Sequence, residues 1–192
     1  MTEKKKSNTV LIIVLAVLVL GVVGYGYMKY STNIGSPGGG SDKAAVNEDL
    51  LAKAKQAEQE GDTEEALEYY QEFLEINAQP QDYKNPAVGG VHASMGNIYY
   101  KKFKYPKAIE HFQDALDHAT QYLGKQSKQA GERWLSLASI YDKQGEVKTA
   151  LEHYQNSRAI QAKLGEDTSD VDQVILQLED YMVNAKLQTK SS

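Results

Sequence analysis

A period of 42 residues, traversed twice, constrains this chain more than any other feature of its sequence. The segments Lys53–Ile76, Met95–His118 and Leu137–Ile160 align without a gap, placing Ala66, Ala108 and Ala150 in register. A repeat of this length is one supersecondary unit that cannot bury its own apolar face, so copies must stack and share a core. Apolar residues recur at spacings of three and four, which predicts helices over Leu50–Glu60, Glu64–Ile76, Pro86–Lys102, Pro106–Leu123, Lys128–Lys143 and Val147–Leu164. Gly61, Gly124, Gly145 and Gly165 mark helix ends, and Asn85-Pro86 reads as an N-cap followed by proline at the first helical position. A seventh helix, Val171–Leu187, sets Val174, Leu178, Tyr181 and Met182 on one side and charge on the other, as the cap of a stack requires. The expected fold is an all-α solenoid of three helix-turn-helix units with a C-terminal capping helix.

Small and aromatic residues recur within the units. In register are Ala54, Gly96 and Ala138, then Ala66, Ala108 and Ala150, then the large aromatics Tyr70, Phe112 and Tyr154. Tyr99 and Tyr141 match each other, with Ala57 in the first unit, and Gly61 and Gly145 match a second-unit Phe103. Trp134 stands near the start of the third unit. This pattern resembles the tetratricopeptide repeat (TPR), where it occupies positions 8, 20, 24, 11, 15 and 4 of a 34-position scheme. The resemblance implies repeats at about 47–80, 89–122 and 131–164, a domain over 43–187 with its capping helix at 171–187, and a tail over 188–192. The longer period is similar to that of the 42-residue subclass found in kinesin light chains, a likeness of architecture from which no motor-adaptor role follows.

Ahead of the repeats, Thr9–Met28 contains no charged residue, and its 20 positions reach roughly 30 Å as a helix, the thickness of a bilayer's hydrocarbon core. It is expected to be an uncleaved transmembrane helix, behind a basic flank over 1–8. The apolar run exceeds that of a secretory signal peptide, the alternative reading. Lys4, Lys5 and Lys6 precede the span and only Lys29 follows closely, which keeps the N-terminus cytoplasmic and sends the C-terminal domain across, most readily to the periplasmic side of a bacterial inner membrane. Residues 29–42, with the run Asn33–Ser41, form a Gly/Ser-rich linker.

The chain has no cysteine, which removes disulfides, thiolate metal sites, a thiol nucleophile and lipidated cysteines together. It carries 21 Lys and Arg against 26 Asp and Glu, and four of those bases but one of those acids precede Asp42. The remainder therefore holds a net charge of about −8, which repels phosphate backbones and argues against nucleic acid as a partner. No catalytic, cofactor or metal site is expected. His111 and His153 share a repeat position that Tyr69 fills in the first unit, His92 has no acid or histidine one turn away, and His118 has only Asp114. Glu64-Glu65 and Asp167-Asp170 stand at helix starts, where carboxylates suit the dipole. Gly38-Gly39-Gly40 lacks the strand and the Gly-Lys-Ser/Thr of a phosphate loop, and no catalytic serine or zinc-helix motif occurs.

The TPR resemblance implies instead a concave groove lined by the first helix of each repeat, at positions 2, 5, 9, 12 and 13. The candidate protein-binding residues are Leu51, Lys55 and Glu58 in the first repeat, Asn97, Tyr100 and Lys101 in the second, and Leu135, Ser139, Asp142 and Lys143 in the third. Glu48, Gln59, Gly90, Ala93 and Glu132 complete the mapped wall. Tyr100 is its one large aromatic, a residue type that buries much area at low entropic cost. The family's clamp for chaperone C-terminal carboxylates is absent, since Leu51, Lys55, Ser94, Glu132 and Ser136 occupy its five positions. The functional expectation is a membrane-anchored adaptor for protein partners in an envelope complex. Alternatives are a self-assembling scaffold, hence a homo-oligomer, and an organelle receptor whose domain faces the cytosol.

Overall fold

The structure, a computed structural model, describes residues 39–78 and 84–190, with side chains over 43–78 and 84–185. Among the described residues it is entirely helical: α1 (Gly39–Glu60), α2 (Thr63–Ile76), α3 (Pro86–Lys101), α4 (Tyr105–Tyr122), α5 (Lys128–Lys143), α6 (Val147–Leu164) and α7 (Ser169–Lys190). The chain divides into two compact units, Met1–Asp49 and Leu50–Ser192, and the repeats belong to the second. The expected transmembrane helix Thr9–Met28 lies outside the described residues, and among those described no helix is long and apolar enough to cross a membrane.

Helices α2 to α6 end within two residues of the expected bounds, because local chemistry punctuates them. Asn85 accepts a hydrogen bond from the Ala87 amide at 3.0 Å and Pro86 opens α3, while Ser127 caps α5 through the Ala130 amide at 3.2 Å. Helix α1 extends further back than Leu50. It reaches Gly39, into the segment expected to be linker, since Lys43, Ala44 and Ala45 are good helix formers that continue it N-terminally.

The turns inside the three repeats share one geometry. Gly61, Phe103 and Gly145 all take the left-handed conformation, at φ of 86°, 57° and 77°. Each donates its amide three residues back, to Glu58, Tyr100 and Asp142, and the next residue donates five back, to Ala57, Tyr99 and Tyr141. This is the Schellman pattern that satisfies the last carbonyls of a helix, and it persists in the second repeat without glycine.

Packing runs principally between consecutive helices, as in a solenoid. One buried cluster joins α4, α5 and α6 through Ala108, Phe112, Leu116, Ala119, Ala130, Leu137, Ile140 and Ile160. A second joins α5, α6 and α7 through Ala138, Ala150, Tyr154, Val171 and Ile175, so the last helix packs on the third repeat, although Tyr181, expected on its apolar side, is 61% exposed. Close approaches also recur with the period. A Cβ on Gly96 would lie 2.9 Å from the Phe112 ring. One on Gly89 would lie 2.6 Å from His118, and one on Gly131, 42 residues later, 3.1 Å from Ile160.

Candidate functional site

The ten candidate groove residues lie on α1, α3 and α5, the first helices of the three repeats. Lys55, Asn97, Lys101 and Lys143 are exposed, whereas Leu51, Glu58, Tyr100, Leu135, Ser139 and Asp142 are half-buried. The opposite faces of the same helices carry the core residues Ala54 and Ala57, Met95 and Ile98, and Leu137, Ala138 and Ile140. Ala93 departs from the expected wall: it is 6% exposed and belongs to the core.

Several of the ten also serve the fold: Tyr100 and Leu135 pack against the core clusters, and Glu58, Ser139 and Asp142 act on buried tyrosines. Tyr70 is buried and donates its hydroxyl to Glu58 at 2.7 Å. Burial first, and then the Glu58 carboxylate, push its pKa up to about 12 against a hydrogen bond with Ser94. In the third repeat Tyr154 is raised likewise, by burial and then by the charge of Asp142, with Ser139 opposing. Glu58 and Asp142 are thus equivalent acids facing equivalent tyrosines. The second repeat has Tyr100 and Phe112 at these places, so where no buried hydroxyl needs an acceptor no acid stands opposite. The spacing of 12 residues is common to both pairs; the structure adds the hydrogen bond of the first pair and, in the third repeat, the influence of the Asp142 charge on Tyr154.

Tyr100 and Ser139 come together directly, with Oη 3.4 Å from Oγ, linking the inner helices of adjacent repeats. The Tyr100 ring also lies 6.0 Å from that of Tyr105, which meets Phe103 edge-on at 6.3 Å. Phe103 is 78% exposed. An aromatic run therefore leads from the candidate wall out to the α3–α4 turn, and Phe103, read in the sequence only as a missing glycine, is its outermost member.

The histidines revise the sequence reading. His118 is 1% exposed, and its Nε2 lies 3.1 Å from the Asn85 carbonyl at the start of α3. His153 meets the rings of Trp134 and Tyr141 edge-on at 5.0 and 5.1 Å, with Nδ1 buried and without a hydrogen-bond partner. Burial lowers its pKa, with the Glu152 charge acting against this. His92, without an acid or histidine one turn along its own helix, has two ligand-type neighbours across the helix pair. Its Nδ1 is 3.2 Å from Nδ1 of His111 and 3.3 Å from Oδ2 of Asp114, both on α4. Burial, followed by the nearby His111 and His118, depresses the His92 pKa to about 4. Burial chiefly lowers His111, while burial and then the charges of Glu110 and Asp117 raise Asp114. Spacing along one helix carries no signal for such partners, because they stand on the next helix.

The fold is one of stacked helical hairpins with small residues at their crossings. Residues 50–82 and 91–169 match models of the tetratricopeptide repeat. The chain carries tetratricopeptide repeats. No curated protein matches it. Among solved structures it is similar to BtubC (BKLC) from P. vanneervenii, with 20% identity and a TM-score of 0.64 over 76% of this chain. The match spans 59% of that protein's length. It is also similar to a putative kinesin light chain of Podosopora anserina with nearly identical TPR-like repeats, with 21% identity, a TM-score of 0.56 and coverage of 74% of this chain and 68% of that one. A third likeness is to the TPR2B domain of yeast Sti1 in complex with pHsp70, with 16% identity, a TM-score of 0.54 and coverage of 71% and 98%. At these identities the likeness establishes the fold.

Proposed function

We propose that this protein is a membrane-anchored, non-catalytic adaptor whose groove, formed by α1, α3 and α5, takes a segment of a protein partner. The observation that carries the reading is the division of those three helices into an apolar core face and a polar face holding exposed Lys55, Asn97, Lys101 and Lys143 beside half-buried Tyr100 and Ser139. A partner segment can use Tyr100 as its apolar anchor and the lysines and Asp142 for orientation. The repeats are of the 42-residue subclass. Thr9–Met28 is the anchor, and the positive N-terminal flank sets the domain outside the cytoplasm, in an envelope complex.

The complex of yeast TPR2B with pHsp70 supports a protein as the partner. It does not extend to the same peptide class here. Ser94 is engaged with Tyr70, Ser136 donates to the Glu132 carbonyl at 3.0 Å, and exposed Glu132 would repel an incoming carboxylate. A second reading, self-assembly, is favoured by Leu176, Tyr181 and Val183, which α7 leaves 61%, 61% and 56% exposed at the end of the stack.

Cross-linking in intact membranes, followed by pull-down and mass spectrometry, tests the proposal against a variant carrying Asn97→Ala, Tyr100→Ala and Lys101→Glu. A distinct protein captured by the wild type and lost in the variant is the expected result. Self-cross-links alone, equal in both, would transfer the function to the assembly surface. A reporter enzyme fused to the C-terminus and active only in the cytoplasm would refute the topology without touching the groove.

A further inference from the structure

His92, His111 and Asp114 sit at repeat positions whose occupants elsewhere in the chain cannot form the same set. Forty-two residues earlier stand Leu50, Tyr69 and Glu72, and 42 later stand Trp134, His153 and Asn156. In the third repeat the arrangement is purely one of packed rings, with Trp134 and Tyr141 against His153. In the second the same backbone places His92 5.4 Å from His111 and stacks Tyr99 on His111 at 5.3 Å and 8°. Leucine and tyrosine fill these places in the first repeat and packed rings in the third, so two imidazoles with a carboxylate are more than packing requires.

We propose that His92, His111 and Asp114 form a binding site for a divalent transition-metal ion of the Zn²⁺ class, clamping α3 to α4 in the second repeat. One atom from each residue falls within a sphere where all three lie within 4.8 Å of one another. Two atoms bound about 2.0–2.1 Å from a tetrahedral Zn²⁺ are separated by about 3.3 Å. The His92–His111 and His92–Asp114 separations of 3.2 and 3.3 Å already match that edge. Two imidazoles and one carboxylate suit zinc-like ions over Ca²⁺ or Mg²⁺, which call for more oxygen donors, and three protein ligands leave a fourth position for water. The Asp114 side chain, 46% exposed against 13% for His92, provides the approach from solvent. Glu110 and Asp117 lie close enough to Asp114 for their charges to be felt there, so the surroundings favour a cation despite Lys107 nearby. Tyr99 stacks on the His111 ring, and the Lys107 ammonium lies 5.2 Å from the Tyr99 centroid. None of the three ligands belongs to the groove, so the site stands independently of the adaptor reading.

The test uses the full-length chain in detergent, without a histidine tag and stripped with chelator, titrated calorimetrically with Zn²⁺ and spectroscopically with Co²⁺. One Zn²⁺ per chain and the visible absorption of four-coordinate Co²⁺ are expected. His92→Trp, which installs the third repeat's residue, should weaken Zn²⁺ binding at least 100-fold, and Asp114→Asn at least tenfold. His153→Ala should leave it unchanged. Asp114→Asn alters a half-exposed side chain and keeps the test decisive if His92→Trp fails to fold. Absence of stoichiometric binding, or equal affinity in wild type and Asp114→Asn, would overturn the proposal and leave the trio a hydrogen-bonded cluster.

Discussion

Substituting Gly96 with alanine tests whether the crossing of α3 and α4 is set by contact or by the flexibility of glycine. The new Cβ would lie 2.9 Å from both Cδ1 and Cε1 of Phe112 and 3.1 Å from its Cγ. That is about 0.6 Å inside the ~3.5 Å at which two carbons first sit comfortably. Phe112 is 2% exposed and lies in a cluster with Ala108, Leu116 and Leu137, so its ring cannot retreat. Overpacking of this kind costs about 1–3 kcal/mol, and a clash with three atoms of one immobile ring belongs near the upper end. Against it, alanine is the better helix former by about 1 kcal/mol. The net loss should be about 1–2 kcal/mol, or about 3–8 °C in melting temperature for a domain of this size. Gly90 supplies the control, because it is exposed on the same helix and a Cβ there meets nothing within 4 Å. Gly90→Ala should therefore stabilise by up to about 1 kcal/mol. Urea unfolding of the full chain in detergent, followed by helical circular dichroism with the slope checked for constancy, measures both. In a Phe112→Leu background Gly96→Ala should turn neutral or stabilising, a coupling of about 1–3 kcal/mol. If Gly96→Ala stabilises as much as Gly90→Ala in the native background, the contact argument is wrong.

Phe103→Gly should raise stability by about 0.5–1 kcal/mol, because relief of a left-handed φ of 57° on a β-carbon residue outweighs the loss of one exposed edge-on contact with Tyr105. A urea midpoint lowered by the substitution would show that the ring holds the turn together. His153 makes stability depend on pH. Its pKa in the folded state is depressed below the ordinary ~6.5, so the unfolded chain binds the extra proton first. Its stabilising contribution is complete above about pH 6.5 and is lost as pH falls toward the depressed folded value. His153→Phe keeps a ring between Trp134 and Tyr141 and removes a buried, unpartnered nitrogen. Melting curves from pH 7.5 to 5 should show a smaller acid-induced drop for this variant; an unchanged drop would place the proton uptake elsewhere.

The repeated architecture could be read from the sequence because its determinants are local and occur several times. Small residues at the crossings, an asparagine before proline and glycines after helices each carry one mechanical job, and three copies in register reinforce one another. The second turn was harder to read, since Phe103 shows no glycine signal. The Schellman hydrogen bonds and the neighbouring helices impose the left-handed conformation there regardless. The N-terminal reach of α1 is hidden in the sequence for the opposite reason: Gly39 and Gly40 argue for a linker, but two unfavourable residues at a helix end are outweighed when good formers continue the helix behind them.

Side-chain function divides along the same line. Periodicity assigns a residue to a face: on α3 Lys101 is exposed, while Tyr100 is half-buried and packs against the core cluster. It does not say what that face meets on another helix. Glu58 and Asp142 entered the candidate wall by position, yet each answers to a tyrosine twelve residues later, so replacing either would strike the fold and the groove together. Asn97, Lys101 and Lys143 carry no such role and are the cleaner probes of binding. His92, His111 and Asp114 escaped the sequence entirely because their separations of 19 and 22 residues correspond to no single-helix motif. They become neighbours only when α3 and α4 close into a hairpin. A repeat protein thus hides its individual chemistry in departures from its own period, and comparing each repeat with its siblings, position by position, is the reading that would have exposed this trio.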